Sequence, residues 1–291
     1  MAHEEVSFDF ELLRELTETN GVPGYEERIR DIVRRELTDE VDTIESDGMG
    51  NLVATVEGTG DQHVVVAAHM DEIGFMVRHV TDDGYLKLDA LGGWDARVLK
   101  AQRVTVHTDE GDFTGVIGSP PPHTLDESDL DGDDKVDDVY VDLGRDGDEV
   151  ADLVSIGDLV TTQQSTTLMG DHVTGKALDN RVSVFALIEA ARRLDSPTAT
   201  IHLAATVQEE VGLRGAQALG VDIDADVAYG LDTTVANDGP NFSAEDRVTA
   251  LGGGAGIKLK DSSAITNPTV HRRLTALAEE REIPHQPEIL P

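Results

Sequence analysis

The chain has 291 residues, of which 39% are hydrophobic, and carries 58 acidic against 23 basic residues for a formal net charge of −35. There is enough apolar material for one large core or two modest ones, while the acidic excess excludes nucleic acid and anionic membranes as partners. The absence of cysteine excludes disulfides, thiolate metal ligands and a cysteine nucleophile.

Taken in chain order, Phe8 to Thr19 carries apolar residues at helical spacing and predicts a helix ending near Asn20-Gly21. Gly21-Val22-Pro23-Gly24 predicts a turn, and Glu26 to Leu37 a second helix. Asp47-Gly48-Met49-Gly50-Asn51 predicts a turn between two short strands, and the Val-rich run His63 to Ala68 a central buried strand. From Ile73 to about Gln164 the texture changes. Short strand-like runs alternate with Asp82-Asp83-Gly84 and Asp109-Glu110-Gly111, a hairpin pattern without long helices. From Ala177 onward a helix at 182–194, strands at 199–206 and 226–231, and a helix at 268–280 are expected. The fold class expected is α/β, with residues 1–72 and 165–291 forming a mixed-sheet catalytic domain. Residues 73–164 would be a small all-β insert.

The most informative segment is Gln208-Glu209-Glu210-Val211-Gly212, two adjacent acids at the end of an apolar strand. Unpaired charge beside a buried strand end is costly. A metal site resolves it, with one glutamate holding an ion and its neighbour moving a proton. His69-Met70-Asp71 ends the Val-rich strand with His69 and Asp71 on one face, so His69 is a candidate ligand and Asp71 its orienting acid. By itself that pair reads more readily as a polar strand end with a solvated acid. Asp179 and Asn180 stand before the helix expected at 182, where they are either N-caps or, for Asp179, a carboxylate bridging two cations, with Arg181 tying the segment down. Leu231-Asp232 places another acid at a strand end. In open α/β sheets ligands gather beyond the carboxyl ends of the strands, and His69, Glu209, Glu210 and Asp232 all follow apolar strands.

With these motifs in order, the chain resembles the tetrahedral (TET) aminopeptidases, the dinuclear metallopeptidase family that includes glutamyl aminopeptidases and proteins once named endoglucanases. The resemblance rests on Ala68-His69-Met70-Asp71-Glu72-Ile73-Gly74, Gly175-Lys176-Ala177-Leu178-Asp179-Asn180-Arg181, Gln208 to Gly212 and Leu231-Asp232. It extends from Asn20-Gly21-Val22-Pro23-Gly24-Tyr25-Glu26 to at least Gly254, with Gly118 to His123 and Asp142-Leu143-Gly144 in the insert. It implies two divalent ions per subunit, Zn²⁺ or Co²⁺ or else Mn²⁺, with His and carboxylate ligands. Asp179 would bridge them, His69 and Asp232 would complete one site, and Glu210 would bind the other. Glu209 would be the general base, with Asp71 assisting catalysis behind His69. The family takes one further His on the second metal, far downstream. His271 and His285 come too early to supply it, so the sequence is expected to be C-terminally incomplete relative to the family.

The activity implied is a metal-dependent aminopeptidase acting on short peptides, in dimers that join through the insert into a dodecamer. A related dinuclear deacylase or carboxypeptidase, and a non-catalytic scaffold chain, are the alternatives. Met1 to Glu5 lacks the basic and apolar regions of a signal peptide and no run could span a membrane, so a cytoplasmic location is expected. The acidic surface suggests adaptation to high salt, where counterions screen self-repulsion.

Other signals are weaker. Glu127 to Asp138 approaches a calcium-loop spacing but has Glu and Asp reversed at its ends, and is read as a solvated acidic loop. Gly252-Gly253-Gly254-Ala255-Gly256 lacks a phosphate-loop ending and is read as a turn near the site. His63, His79, His107 and His202 are read as structural or surface residues, His123 as loop packing or interface, and Trp94 as an anchor of the insert core or of an interface.

Overall fold

The computed structural model describes residues 8–121, 123 and 135–290. The calcium-like stretch through residue 134 lies outside the described residues. The chain divides into two compact units, Met1–Asp232 and Thr233–Pro291.

The first unit opens with helices α1 (Phe10–Glu18) and α2 (Glu27–Leu37), followed by strands β1 (Thr43–Ser46), β2 (Leu52–Val56) and β3 (His63–His69). Asp9 caps α1 by accepting from the Leu12 amide at 3.0 Å. Strands β4 (Gly74–Val80), β5 (Tyr85–Leu91), β6 (Arg103–Thr108), β7 (Gly111–Gly118) and β8 (Tyr140–Asp142) come next, then helix α3 (Gly147–Leu153) and strand β9 (Leu159–Thr162). The short hairpin β10 (Thr167–Met169) and β11 (His172–Thr174) leads to α4 (Leu178–Ala191), β12 (Thr200–Thr206), α5 (Arg214–Asp222) and β13 (Val227–Gly230).

Two sheets result. The first has the order β1-β2-β12-β3-β13; β12, β3 and β13 run parallel, and β1 and β2 run antiparallel along one side. Alternation along β12 decides its two faces. Leu203 and Ala205 join Leu16, Ile29, Val33, Val184 and Leu187 of the helices in the main core, whereas Ala204 turns to the opposite face with Val65 and Leu219. The second sheet closes into a barrel, β4-β5-β8-β7-β6-β9. Phe75, Val77, Leu86, Leu88, Val104, Val106, Ile117, Val141 and Val160 fill it. Trp94 stacks on Phe75, ring centroids 4.6 Å apart, and its indole donates to the Gly74 carbonyl at 2.9 Å, the core-anchoring role expected of it. The 73–164 region is not made of strands alone. Helix α3, which the local sequence did not reveal, packs Val150 and, just beyond it, Val154 into the barrel core.

In the second unit, β14 (Ala255–Lys260) pairs in parallel with β15 (His285–Ile289), linked by α6 (Pro268–Glu280). Asn267 caps α6 and Pro268 opens it. The expectation of a turn through Gly256 needs correcting. Gly252 and Gly254 have the positive φ of a turn, but Ala255 and Gly256 already belong to β14. No helix among the described residues is long and apolar enough to cross a membrane.

Candidate metal centre

His69 is the last residue of β3, in register with Thr206, the last of β12. The two strands therefore deliver His69 and the Glu209-Glu210 segment to the same end of the sheet, and β13, parallel beside β3, leads to Asp232. Asp179 arrives from α4. Asp179 (φ −80°, ψ 108°) and Asn180 (φ −119°, ψ 29°) lie outside helical geometry at the start of that helix, Ala177 occupies the cap position, and no side chain caps it. The helix ends at Ala191 rather than 194. Asn180 donates to the Leu231 carbonyl at 2.9 Å, fastening the Asp179 segment to the residue before Asp232.

His69 is 4% exposed. Its Nδ1 is 3.1 Å from the Asp71 carbonyl oxygen, which can only accept, so Nδ1 carries the hydrogen and Nε2 of the neutral ring presents a lone pair. That Nε2 faces Asp179 Oδ1 at 3.4 Å, Asp232 Oδ1 at 3.7 Å and Glu209 Oε2 at 3.8 Å. A lone pair turned toward carboxylate oxygens needs positive charge between them. Burial alone would lower the His69 pKa, but Asp179, Asp232 and Asp71 push it up to about 12, so that a proton supplies the charge. A divalent cation supplies it equally well. Two atoms each about 2.0–2.1 Å from one tetrahedral ion stand about 3.3 Å apart, close to the separations from Nε2. Ligand atoms of His69, Asp179 and Asp232 all lie within 4.8 Å of one another, as do those of His69, Glu209 and Glu210. The donor set of one imidazole and several carboxylates fits a metal, and the half-exposed Asp179 and Asp232 leave it open to solvent.

The neighbouring acids are tuned differently. Burial would raise the Asp71 carboxyl, but His69 and the amides of Glu209 and Glu210 outweigh it and hold it below the usual range. Those amides donate to Asp71 Oδ1 and Oδ2, each at 3.0 Å. Asp71 thus orients His69 and the Glu-Glu backbone together. Burial, then the charges of Asp232, Asp71 and Asp179, raise Glu209 against the pull of His69. Glu210 rises to about 7, mainly from burial and then Asp179.

A buried frame lies behind this cluster. Arg181, fully buried, donates from Nε to the Met70 carbonyl at 2.6 Å and from Nη1 to the carbonyls of Leu16 and Thr19. It ties down α4 as expected, and also grips the residue between His69 and Asp71. Glu72 receives Lys176 Nζ at 2.6 and 2.7 Å and the Gly21 amide at 3.2 Å. Gly92 (φ +91°) lies so close that a Cβ there would meet Ile73 Cγ2 at 2.4 Å and Glu210 Oε2 at 3.2 Å. The turn after β5 is therefore held at glycine by its positive φ and by Ile73, beside the Glu210 carboxylate.

The M42 glutamyl aminopeptidase model matches residues 50–291, and a shorter model, AMPT, matches residues 9–32. The chain belongs to the M42 glutamyl aminopeptidase family. Lysyl aminopeptidase of Pyrococcus furiosus is 37% identical over 288 residues, covering 97% of this chain and 82% of that protein. Glutamyl aminopeptidase of Lactococcus lactis is 30% identical over 287 residues, covering 95% and 80%. Among solved structures, a TET aminopeptidase from a marine sediment archaeon of the Thaumarchaeota superposes with a TM-score of 0.91 at 33% identity, covering 96% of this chain and 80% of that one. The TET1 peptidase of Pyrococcus horikoshii, which assembles into a tetrahedron or a large octahedral shell, gives 0.83 at 33% identity, covering 96% and 84%. As an M42 family member the protein is a metal-dependent aminopeptidase, a hydrolase, with the mixed α/β fold of the TET enzymes.

The structure brings His69, Asp71, Asp179, Glu209, Glu210 and Asp232 together. Glu26, Asn51, Glu72, Lys176 and Gly92 were given no role from the sequence. Glu26, Glu72 and Lys176 fell inside the motifs, but nothing local said what they touch. His123 is exposed, and His63, His79, His107 and His202 lie in strands.

Proposed function

We propose that this M42 aminopeptidase removes N-terminal residues from short peptides, with Glu209 as its proton-transfer residue. His69, Asp232 and Asp179 would hold one divalent ion, and Asp179 and Glu210 a second; Zn²⁺ or Co²⁺, and after them Mn²⁺, suit this donor set. Such ions polarise a scissile carbonyl and acidify water. The observation that carries the reading is that buried His69 turns its Nε2 toward Asp179, Asp232 and Glu209 at 3.4–3.8 Å. Glu209 takes the proton of the attacking water and returns it to the leaving amine. Its raised pKa moves it toward neutrality, where a carboxylate both accepts and gives up a proton effectively. Asp71 stays ionised, keeps the hydrogen of His69 on Nδ1, and fixes the backbone of both glutamates. Residues 73–164 are assigned as the dimerisation insert of a catalytic domain formed by 1–72 and 165–291, in a cytoplasmic homo-oligomer of the kind named for the TET relatives.

The test is metal content by mass spectrometry together with turnover of leucine-, glutamate- and lysine-p-nitroanilide. Divalent metal at the His69 site is expected, with turnover lost on chelation. Glu209→Gln should keep that metal and lose about 100-fold or more in kcat. An active Glu209→Gln enzyme would overturn the role of Glu209.

A further inference from the structure

Beyond β12 the chain holds four successive amides with side chains from elsewhere. The Val207 amide donates to Asn51 Oδ1 at 3.0 Å, Gln208 to Glu26 Oε1 at 3.1 Å, and Glu209 and Glu210 to the two oxygens of Asp71. Strand pairing ends at Thr206, so these amides would otherwise lack protein acceptors in a partly buried loop. Gln208 also stands at φ +54°, a left-handed conformation that a non-glycine residue adopts only when its surroundings impose it.

Glu26 is the least explained of the acceptors. It is 3% exposed, and Oε1 accepts from the Gly24 amide at 2.7 Å and from Gln208. A buried carboxylate is a costly choice for a core position. What this one does is join the Gly21–Gly24 turn to the residue immediately before Glu209.

We infer that Glu26 is a positioning residue for proton transfer, holding Gln208 in its left-handed conformation so that the Glu209 carboxylate is aimed at the metal cluster. The inference rests on the assignment of Glu209 above. Because the Gly24 and Gln208 bonds fall on one oxygen, the clamp depends on where that oxygen stands. Two variants separate that position from the charge. Glu26→Gln keeps the oxygen in place and discards the charge; Glu26→Asp keeps the charge and withdraws the oxygen by one methylene.

Glu26→Gln is expected to retain kcat within about threefold, whereas Glu26→Asp loses about tenfold or more in kcat with KM and the number of bound ions unchanged. Amide hydrogen exchange of the 207–213 segment, measured on metal-free protein, is expected to quicken in Glu26→Asp and stay as in the parent in Glu26→Gln. That measurement decides the clamp independently of whether Glu209 moves protons. Glu26→Asp with unchanged kcat and exchange, or Glu26→Gln as impaired as Glu26→Asp, overturns the inference.

Discussion

Strand β3 carries a histidine at each end, and the two have opposite surroundings. His69, at the carboxyl end, is buried and its Nε2 looks at Asp179, Asp232 and Glu209. His63, at the amino end, is hydrogen bonded Nδ1 to Nε2 of His202 at 3.0 Å, and His202 Nδ1 meets the Thr55 hydroxyl at 3.0 Å. Ring centroids 5.3 Å apart, with planes 11° from parallel, leave room for the two ring radii and one N–H···N bond end to end. The same side chain on the same strand thus has a demand for positive charge at one end and a satisfied hydrogen bond at the other. What surrounds a strand end, rather than the histidine itself, makes it a ligand.

The comparison breaks first on substitution. His69→Gln should lose metal at its site and lower kcat/KM by about 100-fold or more, while His63→Gln leaves metal content unchanged and kcat/KM within about threefold. Equal losses from the two would mean that the sheet, and not the acid cluster, sets the role. Metal analysis beside turnover gives the answer.

The two ends should also titrate with opposite sign. His69 is raised in the folded, metal-free protein, so its contribution to stability is fully present below its unfolded pKa and is lost as pH rises toward about 12. His202 is lowered, by burial and then by His63, so the folded state resists its protonation and stability falls as pH drops below its unfolded value. Urea unfolding across pH of the parent, His69→Gln and His202→Gln proteins should give an alkaline difference for the first variant and a smaller acidic one for the second. Added Zn²⁺ should remove the alkaline difference by replacing the proton, and leave the acidic one. A zinc-insensitive alkaline difference would separate His69 from metal binding.

The smallest effect concerns the surface rather than either strand end. With a net charge of −35, self-repulsion should weaken as KCl rises, so the unfolding midpoint should climb with salt. The Nδ1–Nε2 bond between His63 and His202 carries no such charge and should be indifferent. Greatest stability in low salt would refute adaptation to high salt.

Much of this was legible in order along the chain. The Val-rich run before His69, the apolar run before Glu209 and that before Asp232 marked strands, because period and composition are local properties, although Val227–Gly230 is half-exposed rather than buried. The acids and the histidine at their ends marked the site. Helix α3 and strand β15 were not legible. Gly147–Leu153 is only two turns long, and His285–Ile289 contains a proline and three polar residues, so tertiary packing outweighs local preference in both.

The sequence by itself determined that one strand would end at His69 and that Glu209 and Asp232 would follow two others, a charged cluster for which a cation is one resolution. Only the tertiary structure decided that Asp179 leaves helical geometry to face His69, that Asp71 holds two amides 138 and 139 residues away, and that Glu26 holds a third. The physical reason is distance along the chain. Hydropathy patterns record which side of an element is buried, but a hydrogen bond between remote segments leaves no period in either of them.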